Sequence, residues 1–398
     1  MKSLKELYRI GKGPSSSHTM GPNAAAVQFR RSNPDADAFR VILYGSLAKT
    51  GKGHLTDEAV LQGLQPAKAE VVFDMETTDL PHPNTMDLIA LRGGKETARQ
   101  RVLSIGGGAV SVLGKPEMDT PEVYPLRSYT EIADFCKSRR MRLWEYVEQC
   151  EGKEIWDYLF EVWSTMKDAI MQGLTVTGKL PGALGVERKA QTLFEQRHID
   201  ESQMTRENRI VCAYAFAVAE QNASGGTIVT APTCGSCGVV PSALRYMQEQ
   251  RDFSDKQVLR ALATGGLVGN LIKTNASISG AECGCQAEIG SACSMCAAAL
   301  AELHEMGIDQ IEYAAEVAME HHLGLTCDPI GGLVQIPCIE RNAVAAMRAI
   351  NALSLANFLT SSRKISFDVV VQTMYQTGLD MSHIYRETAE GGLAKFYK

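Results

Sequence analysis

The residues from Thr264 to Leu300, TGGLVGNLIKTNASISGAECGCQAEIGSACSMCAAAL, restrict what this chain can become more than any other stretch. They hold Cys283, Cys285, Cys293 and Cys296 together with a lysine and two carboxylates. Bulky side chains are scarce there. Glycine, alanine and serine let backbone come close, and the reading is that they approach a bound group, as glycine does wherever a ligand needs near contact. Soft thiols in such a setting suit a metal or cluster better than a plain core.

At 398 residues the chain is long for one core and should divide into about two or three domains. Its 45% hydrophobic and 22% charged residues are ordinary for a soluble globular protein. A formal net charge of −6 argues against a nucleic-acid binder, which would show a basic face. The opening MKSLKELYRIGKG has no continuous apolar core of the signal-peptide kind, and no run of about 18 apolar residues follows. The expectation is a cytoplasmic protein that neither crosses nor binds a membrane. Eleven cysteines in such a chain should stay reduced, and eight of them come after Thr233, which puts the thiol chemistry in the later part.

Taken in order, GKGPSSSHTMGPNAAAVQF leads Ser15, Ser16, Ser17, His18 and Thr19 into a helix with Pro22 in its first turn. Hydroxyls at a helix start can seat a carboxylate or phosphate, or can simply cap the helix. A strand over Phe39–Tyr44 follows, then a glycine-broken turn holding His54 and a helix opening at Thr56. KAEVVFDM and DLIALRG read as further strands, with His82 and Asn84 in the turn between them. RVLSIGGGAVSVL lacks the G-x-G-x-x-G spacing of a dinucleotide site and reads as a hairpin or bulge. From Tyr129 the apolar period becomes helical, with no convincing strand pair beyond it. The fold expected is an α+β N-terminal domain, residues 1–128, followed by an all-α domain, residues 129–398.

Cys234 and Cys237 form a C-x-x-C without the βαβ setting of a redox pair or a second pair at zinc-finger spacing, so packing beside the site is favoured. His321 and His322 fall at the end of a helix stopped by Gly324, where the dipole alone favours histidine. Cys338 stands at the start of another helix, whose exposed N–H groups would stabilise a thiolate and make it a better ligand than packer. Widely spaced thiols in a helical region fit neither zinc-finger nor ferredoxin spacing, and suit one cluster assembled from distant loops.

The segments GPSSSHTMGP, GSLAKTGKGHLTD, SIGGGAV, TAPTCGSCGVVP, KTNASISGAECGCQAEIGSACSM, AMEHHLGLTCDPIGGLVQIPCIERNA and TGLDM…YRETAEGGLA run in this order over nearly the whole chain. Together they resemble the bacterial iron–sulfur L-serine dehydratases. The resemblance implies a [4Fe–4S] cluster on Cys285, Cys327 and Cys338, with Cys283, Cys293 and Cys296 left to packing. It implies an open iron acting as Lewis acid on the substrate β-hydroxyl, and His54, or failing that His18, as base for the α-proton. Ser15, Ser16, Ser17, Thr19, Asn84, Lys273, Asn275 and Ser277 become candidates for binding substrate. No pyridoxal phosphate is implied, and Lys273 in LIKTNAS does not match the pyridoxal-enzyme motif. A small-molecule amino acid is the expected partner, and a homodimer the expected assembly. The chain departs from the family in three respects, one of them the lack of an obvious additional regulatory module. Some members end in a cysteine that folds back as a fourth ligand, whereas this chain ends Phe396-Tyr397-Lys398; many carry N-G-A-A where it has Cys234-Gly235-Ser236-Cys237. L-Threonine, L-cysteine or another β-substituted amino acid fits the same chemistry, and a non-catalytic iron–sulfur sensor is the rival from another class.

Overall fold

The computed structural model describes residues 1–114, 121–196, 201–359 and 363–397. Its N-terminal region is built on a five-stranded sheet of β2 (Ala38–Leu43), β3 (Lys68–Phe73), β4 (Thr85–Arg92), β5 (Lys95–Gly106) and β6 (Ala109–Val112), in the order β3-β2-β4-β5-β6. Only β2 and β3 are parallel. Parallel neighbours need a crossover, and the segment holding His54 and the helix Thr56–Leu64 supplies it. That helix and Gly21–Ser32 cover one sheet face, burying Ala26, Phe29, Val60 and Leu64 against Phe39, Val41, Leu88 and Ala90. The expected hairpin forms between β5 and β6, and Gly106, Gly107 and Gly108 turn it with φ of 101°, 56° and 79°, which only glycine adopts without strain.

Helices dominate from Tyr129 onward. At their centre lies Ser291–Leu303, every residue of which is buried. Asp255–Asn275, Ile308–Glu320, Cys338–Leu359 and Val239–Arg251 surround it. A helix apolar all round must be enclosed in this way.

The structure gives many of the small residues another purpose than the one expected. A Cβ on Gly265 would stand 2.7 Å from the Met295 carbonyl oxygen, and one on Gly266 would stand 2.7 Å from the Tyr8 ring. Close helix packing, rather than a bound group, requires glycine at these two positions.

A second departure concerns strands. Among the described residues beyond Tyr129 there is one, β7 (Thr227–Val229), which pairs antiparallel with β1 (Ile10–Lys12). Its partner lies more than 200 positions away, so no local pattern could reveal it. The first residues accordingly pack with the helices: Met1, Leu4, Leu7 and Tyr8 share the helical core, and the Met1 ammonium donates to the Tyr124 carbonyl at 2.7 Å. Among the described residues no helix is long and apolar enough to cross a membrane.

Gly265→Val should lower unfolding free energy by about 3 kcal/mol, because the obstructing atom is backbone and cannot swing aside; urea unfolding checks it, and an unchanged midpoint would show that the two helices can separate without cost.

Candidate active site

The seam between sheet region and helices gathers the titratable groups. Ser15 caps the turn Ser16–Met20 that leads into Gly21–Ser32, its Oγ accepting from His18 N at 3.1 Å. This carries His18 inward until it has no exposed surface. Its Nε2 lies 3.0 Å from Ser46 Oγ, and its Nδ1 3.4 Å from Ser15 Oγ. The His54 ring stands 4.4 Å from it, centroid to centroid. Leu55, in the left-handed region with φ 54°, breaks the chain direction between His54 and the helix Thr56–Leu64.

His54 Nδ1 faces the Thr50 carbonyl oxygen at 3.1 Å. A carbonyl only accepts, so the neutral ring carries its proton on Nδ1 and leaves Nε2 as the free base. Thr19 Oγ1 donates to the His54 carbonyl at 2.7 Å and fixes the loop from its other side. Burial lowers the His54 pKa to about 4, and burial with the neighbouring His54 holds His18 well below the ordinary histidine range. Both rings are neutral at physiological pH.

The helical region brings the thiols. Cys285 begins the turn Gln286–Gly290, and Gln286 stitches that turn to the 324–325 loop: its N donates to the Leu325 carbonyl at 3.1 Å and its Oε1 accepts from Gly324 N at 2.9 Å. Two residues on lies Cys327. Cys338 opens the helix Cys338–Leu359, and Arg341, one turn later, donates to the Thr326 carbonyl at 2.6 Å and reaches Asp328 at 3.4 Å. Hydrogen bonding from Cys327 and the Arg341 charge lower the Cys285 thiol, while Cys327 is pushed up as the pair shares its proton. The helix start does not lower Cys338 as its position suggested, because burial raises it more strongly.

Two carboxyl groups link histidines to thiols. Glu288 accepts from Thr233 Oγ1 at 2.7 Å, and burial raises it. Glu387 Oε1 lies 3.9 Å from His18 Nδ1; burial, then the charges of Glu288 and Cys285, push it up to about 8. Neither glutamate was singled out in the sequence. For Glu387 the signal available was its place in YRETAEGGLA, a segment whose role only the fold reveals.

The other expected residues divide. Ser16 and Ser17 are buried beside His18, and Ser17 accepts through its carbonyl from Ser104 Oγ at 2.7 Å. Asn84 is buried with Oδ1 unpartnered. Ser277 accepts from Ser279 N at 3.1 Å, and the adjoining Ile278 and Ser279 touch the Gly106–Gly107 turn. Lys273 and Asn275, by contrast, spend their polar groups on backbone carbonyls, Lys273 on Glu6 and Asn275 on Arg127 and Leu271. Cys293 and Cys296 donate to the carbonyls of Ala345 and Val239, and Cys283 packs on Gly378. Cys234 lies 3.7 Å from Met20 Sδ, and both C-x-x-C thiols are buried and shifted up by burial.

Among the described residues no three His, Cys, Asp or Glu side chains gather as a shell for a single metal ion. Cys285, Cys327 and Cys338 nevertheless lie near enough to act on one another's acidity, soft donors from a helical turn, a loop and a helix start. Beside them Gly280 is the glycine of this stretch that lies at the chemistry, where a Cβ would stand 3.3 Å from Cys327 Sγ and 2.8 Å from Glu288 Oε2, too close for any side chain. Three thiols, Cys285 and Cys327 buried and Cys338 half-buried, with no histidine among them, fit an iron–sulfur cluster better than a zinc ion.

Residues 3–77 match the family described as serine dehydratase beta chain, and residues 70–394 match serine dehydratase alpha chain. The chain is 39% identical to the L-serine dehydratase of Haemophilus influenzae, with 99% of each protein covered. Identity is 39% to L-serine dehydratase 1 of Escherichia coli, again over 99% of each, and 40% to the L-serine dehydratase of Streptomyces coelicolor over 98% of each.

His54 binds a proton at about 4 when folded and near 6.5 when unfolded, so its neutral burial contributes fully above pH 6.5 and is lost as pH falls toward 4. His54→Asn should flatten the loss of unfolding free energy between pH 6.5 and 4 by about 3 kcal/mol. Parallel acid-unfolding curves for the two proteins would refute it.

Proposed function

The chain belongs to the bacterial L-serine dehydratase family, in a form that joins beta-type and alpha-type regions, and on that premise we propose that it is an L-serine ammonia-lyase working without pyridoxal phosphate. The observation that carries this reading is a neutral histidine pair, His54 with its tautomer fixed, that Glu387 joins to the surroundings of Cys285 and Cys327. Residues 1–128 would form the α+β domain and 129–398 the catalytic domain, in a cytoplasmic homodimer.

Cys285, Cys327 and Cys338 would hold a [4Fe–4S] cluster, which when bound supplies an open iron as Lewis acid toward the β-hydroxyl, otherwise a poor leaving group. His54 removes the α-proton at Nε2, the nitrogen its bond to Thr50 leaves unprotonated. His18, held between Ser15 and Ser46, stands beside it as the group through which that proton can be passed on. Ser16, Ser17 and the unpartnered Asn84 Oδ1 offer polar atoms for the carboxylate and amine. Burial of both rings excludes bulk water while the proton is off carbon. Loss of the α-proton and β-hydroxyl gives aminoacrylate, which tautomerises and hydrolyses to pyruvate and ammonia.

Protein purified without oxygen should be brown, contain about four irons per chain, and release pyruvate from L-serine, losing activity as air bleaches the colour. Cys327→Ala should lose the iron, whereas His54→Gln should keep it and lose about a hundredfold or more in kcat. Colourless protein that still turns serine over would sink the cluster, and brown protein that ignores L-serine would sink the substrate assignment.

A further inference from the structure

Glu387 is the half-buried side chain at the seam whose role has no explanation so far. Its backbone sits in the left-handed region, φ 55°, where a non-glycine residue persists only when its surroundings hold it. The arm that carries it is fastened by other bonds. Cys327 N donates to the Tyr385 carbonyl at 2.7 Å, Thr388 N to the Cys327 carbonyl at 3.3 Å, and Leu393 N to Asp328 Oδ2 at 2.7 Å. None of these uses the Glu387 carboxyl, which accepts from the Ala281 N–H instead, so the arm has three attachments besides that carboxyl.

That carboxyl is aimed inward, its side chain 16% exposed, with Oε1 3.9 Å from His18 Nδ1. Among the described residues no lysine or arginine pairs with it, and its neighbour His18 is neutral. A carboxyl so enclosed is disfavoured as an anion and keeps its proton until a cation joins it, and a second one, Glu288, lies near enough for its charge to act on the first. Arg341 does not relieve this pair equally, because its guanidinium is engaged by Thr326, Asp328 and the Cys285 thiol. The site thus lacks one positive charge on the side of the histidines, within a few ångströms of the nitrogen pair that would handle an α-proton.

We propose that Glu387 receives the α-ammonium group of the substrate, so that the C-terminal arm selects an α-amino acid over the same carbon skeleton without the amine. This rests on the dehydratase reading and adds to it a specificity residue. The ammonium and the α-hydrogen of an amino acid are borne by the same carbon, and the carboxyl and the two rings are close enough together to hold both. Bound there, the ammonium supplies the charge the glutamate lacks, and binding of an uncharged or anionic skeleton leaves it unmatched.

The test compares L-serine with 3-hydroxypropionate, which keeps the carboxylate and β-hydroxyl and lacks the amine. Dissociation constants for both are measured by calorimetry on anaerobically purified wild-type protein, Glu387→Gln and Glu387→Asp. Glu387→Gln should weaken L-serine by about tenfold to a hundredfold, the usual scale for a hydrogen bond between charged groups, and leave 3-hydroxypropionate within about twofold. Glu387→Asp should recover part of the serine affinity. The unchanged 3-hydroxypropionate constant shows that the pocket is folded. Equal weakening of both compounds, no weakening of serine, or a wild-type protein that binds no L-serine would each overturn the proposal. A wild-type protein that binds serine without forming pyruvate would fail the dehydratase reading alone, and the comparison of constants would still decide the role of Glu387.

Discussion

Removal of water from the seam between sheet and helices is the constraint on which the rest of the structure depends. In solvent, His18, His54, Glu288, Glu387 and the three thiols would be an unremarkable set of side chains with ordinary acidities. Buried together, each pays for losing water and must find compensation in its neighbours. His54 finds it by donating to Thr50, Cys285 by interacting with Cys327 and Arg341, and Glu288 by accepting from Thr233. The same enclosure makes the histidines neutral, which a base must be to accept a proton, and leaves a carboxyl in want of a cation. Stability is spent to create reactivity, and the cost is met by the surrounding core.

That core explains the composition of the stretch from Thr264 to Leu300. Helix Ser291–Leu303 has neighbours on all sides, and small residues let those neighbours approach until backbone nearly touches backbone at Gly265. A rigid, tightly packed base then fixes the turn Gln286–Gly290 and the cysteine that precedes it. The small residues act on the site through packing, and Gly280 does so at the chemistry itself, letting its backbone lie against Cys327 and Glu288.

Much of this was legible in the sequence, and the parts that were not share a cause. Period and turn chemistry are local, so the strands, the triple-glycine hairpin and the change to helices at Tyr129 could be read directly, whereas the helix expected to run to Gly324 ends at Glu320 with His321 as its cap. His18 and His54 were also visible, because the serine cap and glycine-broken turn that position them lie in their own sequence neighbourhoods. What escaped depends on distant pairing. β1 finds β7 across the whole first half of the chain, Lys273 is drawn to the Glu6 carbonyl, and Glu387 meets His18 although they lie near opposite ends. The acidity of Cys338 escaped for a related reason: a helix start favours a thiolate locally, but burial is set by everything packed around it.

The distant pairings have a consequence for how the site is completed. Residues 1–12 are held by the helices through β7 and the Tyr124 carbonyl, and residues 383–396 are held by the Cys327–Asp328 turn. Both attachments close long loops, whose entropic cost must be met before their contacts repay it. His18 follows directly on the first segment and Glu387 lies in the second, so their approach to 3.9 Å requires both to be docked. Cys285 and Cys338, in contrast, are placed by a turn and a helix that pack on the core, while Cys327 is hydrogen-bonded to the C-terminal arm itself. Two of the three cysteine positions can therefore be set by the helical core alone, whereas Cys327 and the acid–base side of the seam are completed only when the chain's ends have reached them.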